Sequence, residues 1–234
     1  MQAHELLLDG TRNARAFGTP AWLVRSANLD RLSPAGAEAL RAAGVSVVVD
    51  LREPIERAAA AAPPVHGLPV VHVPLYRLPD GPPRAGSLEG IAELLLDERM
   101  PELASAVAAV ADAAGGALVH CAVGKDRTGL VVALTLLVAG ASRAQVVADY
   151  ARSGAAVGEE RAAEVMRELA ALGLDAAAHA AAMRLHLASP AAAMEHTVDR
   201  IEAAGGAERL LLDAGLGAER LALLRAKANA WARA

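Results

Sequence analysis

The chain has 234 residues and a formal net charge of −4, with 54% hydrophobic residues, 2% aromatic residues and one cysteine. That length supplies one sizeable α/β core, or one core with an appendage. The charge balance gives no pull towards nucleic acid or an anionic membrane, the scarcity of aromatic side chains excludes stacking platforms for single strands, and a single thiol excludes an internal disulfide or a thiolate cluster for zinc.

The opening stretch "MQAHELLLDGTRN" lacks a basic n-region and a long apolar run, so it does not read as a signal peptide. "AWLVRS" (21–26), "VSVVVD" (45–50), "PVVHVPL" (69–75) and "GALVH" (116–120) are apolar runs suited to buried strands. Between the first two lies a helix, with Ser33 as N-cap, Pro34 at its first position and Gly44 as its stop. "YRLPDGPPRAGS" (76–87) is Pro/Gly-rich and reads as a long loop. A helix over 100–116 then runs into the "GALVH" strand. Alternating strands and helices predict an α/β protein with a mainly parallel sheet flanked by helices on both faces.

From residue 127 the pattern is helical. Segments 142–154, 159–173, 176–188, 189–206 and 217–232 follow the apolar "TGLVVALTLLVAG", and a Ser-Pro cap is expected at 189. The apolar run falls well short of the roughly 20 residues of a membrane-spanning helix, so no transmembrane segment is expected. The expectation is therefore one domain over 1–234, with a lid within 77–100 or among the helices after 150. A cytoplasmic location is expected, with export by another route left open. Oligomeric state is not legible.

The chemistry concentrates in "HCAVGKDRTG" (120–129). A cysteine reacts as its thiolate, and its ordinary pKa of about 8.5 must fall for work at neutral pH. A strand-to-helix turn favours that, because N–H groups and the helix dipole meet there. Ala122, Val123, Gly124 and Lys125 are positioned to wrap their N–H groups round an anion above Cys121. Arg127, with five residues between it and Cys121, can fold a bidentate guanidinium over the same space. Together they describe a phosphate pocket with a nucleophile beneath it.

Asp126 is the nearest carboxyl for general acid–base work, or else a carboxylate paired with Arg25 or Arg52 to hold the loop. Asp50, at the end of its strand, is a second candidate and emerges with Arg52 beside the loop. Thr128 is suited to hydrogen-bond the thiolate or assist its departure, and His120 to orient the loop. Lys125 is either a rim cation or a solvated lysine. The other histidines, His66, His72, His179, His186 and His196, show no metal-like grouping, and neither metal nor cofactor is expected.

Cys-x5-Arg followed by Thr and Gly resembles the signature of the protein tyrosine phosphatase superfamily. "HCAVGKDRTG" is closer to its bacterial branch of atypical tyrosine/lipid phosphatases. "WLVRSANLDRLSPAGAEALRAAGVSVVVDLRE" resembles that family's N-terminal segment, and "SPAAAMEHTVDRIEAAGGAERLLLDAGLGAERLALLRAKA" its C-terminal helices. The resemblance implies a phosphatase with Cys121 as nucleophile, Arg127 as phosphate clamp and Asp126 as general acid, acting on a phosphorylated protein or a phospholipid. Asp80 of "LPD" is an outside candidate for the acid. The substrate reading is phosphotyrosine or dual specificity, with phosphoinositides open and Lys125, Arg52 and Arg77 as the cations for them. One segment departs from the family pattern: "NARAFG" (13–18) has Ala16 where an aspartate is usual. The rival readings are a rhodanese-type sulfurtransferase and a phosphate-binding module without turnover.

Overall fold

The computed structural model describes residues 1–59, 67–78, 81–83, 86–156, 158–170 and 173–231. In chain order its elements are β1 (His4–Glu5), β2 (Arg15–Phe17), β3 (Leu23–Ser26), α1 (Pro34–Ala42), β4 (Val45–Asp50), α2 (Pro54–Ala58), β5 (Val70–His72), α3 (Leu88–Glu98), α4 (Met100–Asp112) and β6 (Gly116–His120). Then follow α5 (Asp126–Val138), α6 (Arg143–Ala156), α7 (Gly158–Ala170), α8 (Ala176–Leu187), α9 (Ala191–Ala203), α10 (Ala207–Asp213) and α11 (Ala218–Trp231).

The strands form one sheet in the order β1-β2-β3-β6-β4-β5. β3, β6, β4 and β5 run parallel, which is the expected mainly parallel α/β architecture with a helical C-terminal half. β1 and β2 add an antiparallel edge too short to leave a sequence pattern. Strand side chains alternate between faces. Leu118, Val24 and Val48 pack with Leu40 of α1 on one side, while Val119, Leu23 and Val49 pack with the larger helical layer on the other. α5 is buried nearly all round, which explains a sequence that is apolar on every face.

The cap at Ser33 forms, its hydroxyl accepting from Gly36 N–H at 3.0 Å, and Gly44 ends the segment at φ +96°. The cap at Ser189 does not. Pro190 is the N-cap of α9, and Ser189 is buried against α6, where its hydroxyl donates to Ala151 O at 3.2 Å. The described residues of 76–87 carry no helix or strand, in keeping with the expected loop, and a helix follows them. Ser87 caps α3 by accepting from Gly90 N–H at 2.9 Å, and Leu88, Ile91 and Leu95 bury that helix. Among the described residues, no helix is long and apolar enough to cross a membrane.

Candidate active site

β6 and β4 end side by side, and the loop after β6 carries Cys121. The carbonyls of this loop are held outwards. Cys121 O meets His120 Nδ1 at 3.1 Å, and Ala122 O accepts from Asn28 N–H at 3.0 Å and Asn28 Nδ2 at 3.1 Å. Val123 O and Gly124 O accept from Asn13 Nδ2 at 3.1 and 3.0 Å, and Gly124 O also accepts from Arg25 Nη2 at 2.7 Å. With the carbonyls so engaged, the N–H groups of Ala122, Val123, Gly124 and Lys125 have no acceptor among the described residues. They lead into the N-terminus of α5, a ready anion site. Gly124 is required for this path: its φ is +72°, and a Cβ there would lie 2.2 Å from Ser26 O.

A buried polar network stands behind the loop. Asp149 of α6 receives Arg15 Nε at 2.6 Å and Arg25 Nη1 at 2.5 Å. Arg15 also bonds the Asn13 side chain, so two of the residues that hold the loop carbonyls, Asn13 and Arg25, are fixed by one carboxylate system. Burial alone would raise the Asp149 pKa, but the charges of Arg25 and Arg15 outweigh it and hold the carboxyl below its ordinary range. Burial and then the nearby Arg25 charge pull Arg15 down to about 10, against the opposing effect of Asp149. Ala16 is a fully buried core residue of β2 paired with Val24. Its neighbours Asn13 and Arg15 supply the loop support from the same segment.

Arg127 is aimed by a residue outside the expected set. Glu56 of α2 accepts from Nη1 at 2.6 Å and from Nη2 at 2.7 Å, and Leu51 O accepts from Nη1 at 3.3 Å. A guanidinium has five N–H groups in a rigid fork. The Nε–H and one Nη2–H are left, and these form the bidentate edge that suits a phosphate. The guanidinium also stacks 4.9 Å from the Tyr76 ring centroid. Burial would lower Arg127, but Glu56 outweighs it and holds the charge firmly. Glu56 is likewise raised by burial and, on balance, lowered by Arg127. The sequence signal for Glu56 is the start of α2: Pro54 at the first turn, and a capping box in which Glu53 N–H donates to Glu56 Oε2 at 2.8 Å.

Cys121, Ala122, Val123, Lys125, Asp126, Arg127 and Arg52 line one cavity of about 630 Å³. Cys121 is only 4% exposed, and the walls include Ile55, Tyr76, Pro82, Ile91, Leu169 and Leu185. Leu169 and Leu185 belong to the α7–α8 pair, which has its own small core of Val165, Leu169 and Ala182. Asp126 is partly exposed to the cavity, and its Oδ1 lies 3.3 Å from Tyr150 Oη and 3.2 Å from Lys125 Nζ. Its pairing with Arg25 or Arg52 does not occur, because Asp149 takes the first, and Asp50 with Asp30 takes the second.

Several expected roles change. Asp50 does not reach the cavity: it is buried, accepts from Arg52 Nε at 3.0 Å and Nη2 at 2.9 Å, and pairs with Arg57 at 3.3 Å. Burial raises its pKa, and Arg52 and His120 more than offset this and lower it. Arg52 lines the cavity with its charge already clasped, since Asp30 takes Nη1 at 2.8 Å from both oxygens. Lys125 is neither a rim cation nor solvated. It is 1% exposed and donates Nζ to Leu185 O at 2.7 Å and Ala188 O at 2.6 Å, tying the loop to the end of α8. Arg77 turns away to Glu102 at 2.7 Å. Thr128 is fully buried, and its hydroxyl has no partner among the described residues, the Cys121 sulfur included. His120 is buried, which lowers its pKa, with Nε2 3.8 Å from Asp50. Asp80 and His66 lie outside the described residues.

A thiol, a turn of N–H groups without acceptors, an arginine with a free edge and a carboxyl thus meet on one cavity. The chain matches the family model "Tyrosine phosphatase family" over residues 8–229, and it belongs to that family. This sets aside the sulfurtransferase reading. It is 32% identical over 180 residues to the triple specificity protein phosphatase PtpB of Mycobacterium tuberculosis, covering 61% of this chain and 64% of that protein. It is 31% identical over 170 residues to a tyrosine-protein phosphatase of Nostoc commune, covering 64% of this chain and 57% of that protein. The chain thus spans less than two thirds of the length of these relatives. Among solved structures, P. aeruginosa TpbA aligns with a TM-score of 0.38 and 23% identity, over 74% of this chain and 91% of that one.

Proposed function

We propose that the chain is a cysteine-dependent phosphatase that hydrolyses phosphate monoesters through a cysteinyl-phosphate, with aryl esters such as phosphotyrosine as its substrate class. The observation that carries this reading is the loop of residues 121–127, whose carbonyls face out, whose N–H groups are unpaired and whose arginine keeps a bidentate edge. The Cys121 thiolate attacks phosphorus, forming the S–P bond as the ester P–O bond breaks. The loop N–H groups and Arg127 hold the non-bridging oxygens as charge shifts onto them, an arrangement worth 10²–10³ per donor, to order of magnitude, where measured elsewhere. Asp126 gives its proton to the leaving oxygen and then takes one from the water that cleaves the S–P bond. Thr128, whose buried hydroxyl has no partner in the free protein, turns to donate to the sulfur as it departs from phosphorus.

The depth of Cys121 and the apolar walls support a long aryl ester over the shorter serine and threonine esters. The charges speak against phosphoinositides as the preferred class. Each cation offered for extra phosphates is already engaged: Arg52 by two carboxylates, Lys125 by α8 carbonyls, Arg77 by Glu102. The α7–α8 pair, with Leu169 and Leu185 on the cavity wall, serves as the lid in this reading. The test is phosphate release from a phosphotyrosyl peptide and from phosphatidylinositol phosphate vesicles, with Cys121→Ser as control and EDTA present. Peptide turnover that exceeds vesicle turnover and vanishes in Cys121→Ser is expected. Binding of phosphate without turnover of any ester would leave a binding module instead.

A further inference from the structure

α6 reaches the phosphate loop twice, through consecutive residues. Asp149 holds Arg25, which in turn holds the carbonyls of Gly124 and Lys125. Tyr150 passes its ring to the other side and brings its hydroxyl to Asp126 Oδ1 at 3.3 Å. The ring fits only because α5 has Gly129 there: a Cβ at that position would lie 2.9 Å from Tyr150 Cδ2. Tyr150 is buried, and burial followed by the Asp126 charge pushes its phenol up, so the group stays a donor. Lys125 Nζ approaches the same oxygen, Oδ1, at 3.2 Å. Oδ2 has no protein partner among the described residues, and Asp126 lines the cavity.

We propose that Tyr150 is a positioning residue for the general acid: by donating to Oδ1, the oxygen that also faces the Lys125 ammonium, it confines the acid's proton to Oδ2, on the cavity side. This rests on the reading of Asp126 as the acid. An oxygen that accepts the Tyr150 hydroxyl and faces a positive charge at 3.2 Å is a poor place for a proton, so the protonated carboxyl has one favoured tautomer, with its O–H directed at the ester oxygen. In the step itself, the Oδ2 proton passes to the leaving oxygen while the P–O bond breaks and the S–P bond forms. Asp126 is left as a carboxylate, stabilised by Tyr150 and Lys125 at Oδ1. The separation of 3.3 Å is long for an O–H donor, as is usual for catalytic hydrogen bonds before substrate binds, and it shortens in the complex.

The experiment compares wild type, Tyr150→Phe and Asp126→Asn on phenyl phosphate and 2,4-dinitrophenyl phosphate, reading kcat/KM, which reports only the first chemical step. Phenolate, with a pKa of about 10, needs a proton to leave, and the dinitrophenolate does not. Tyr150→Phe keeps the ring beside Gly129, and its thermal unfolding is measured alongside. The expected result is that Tyr150→Phe loses roughly tenfold on phenyl phosphate and less than about twofold on the dinitrophenyl ester, and that Asp126→Asn loses about 10²-fold or more with the same selectivity. Equal losses on both esters in Tyr150→Phe, or no loss on either, with Asp126→Asn still selective, would overturn the positioning role alone. Equal losses in Asp126→Asn would overturn the acid assignment, and the role of Tyr150 with it.

Discussion

Asp149→Asn removes one negative charge from a site in which two buried guanidinium groups share it. Arg15, Arg25 and Asp149 side chains are 3%, 1% and 5% exposed, so solvent cannot replace the lost partner. Breaking a buried pair from one side costs about 3–5 kcal/mol, a large part of the 5–15 kcal/mol by which a domain is typically stable. For a chain of this size that loss lowers Tm by roughly 10 °C. Activity falls as well, because Arg25 and Asn13 hold the loop carbonyls out; a displacement near 1 Å costs about 10² in kcat/KM. The difference between wild type and variant also depends on pH. The folded Asp149 carboxyl titrates below its ordinary value of about 3.9, so its stabilising contribution is complete above that value and is lost as pH falls through the lowered one. Urea unfolding from pH 7 down to pH 3 therefore shows a large gap that narrows below about pH 4. A variant within about 1 kcal/mol of wild type at pH 7, with kcat/KM unchanged, would refute the claim that this carboxylate holds the loop.

Two further outcomes follow from the same geometry. Gly124→Ala forces a Cβ to within 2.2 Å of Ser26 O at a positive φ, so the loop must move: kcat/KM drops by at least about 10²-fold and vanadate binding, followed by calorimetry, is lost. Thr128→Val separates stability from turnover: deleting a buried unpaired hydroxyl leaves Tm unchanged or raised by the equivalent of about 1 kcal/mol, while breakdown of the phosphoenzyme slows in single-turnover kinetics.

The loop could be read from sequence because its chemistry is contiguous: Cys121, Gly124, Asp126, Arg127 and Thr128 lie within one strand-turn-helix, where local geometry decides what they face. The Ser33 cap and the four parallel strands were legible for the same reason. What holds the loop was not. Asn13, Arg15 and Arg25 meet partners about a hundred residues or more away, and no local pattern marks a buried arginine as a brace for a carbonyl. Glu56 lies on a helix of five residues, too short for periodicity to speak. The cations expected at the mouth illustrate the converse difficulty. Sequence reports that Lys125 and Arg52 carry charge, but their use depends on Leu185, Ala188, Asp30 and Asp50, which the fold brings to them. Ser189 resembles a cap by its neighbours, yet tertiary packing against α6 claims its hydroxyl.

The central claim is that Cys121 carries the phosphoryl group between the two chemical steps. The most direct measurement is rapid acid quenching of the wild-type protein during turnover of a phosphotyrosyl peptide, followed by mass spectrometry of the digested protein. The account predicts one phosphoryl group on the peptide containing Cys121, with its amount rising when Thr128→Val slows breakdown. Continued turnover with no phosphoryl group on Cys121, or with the label on another residue, would contradict it.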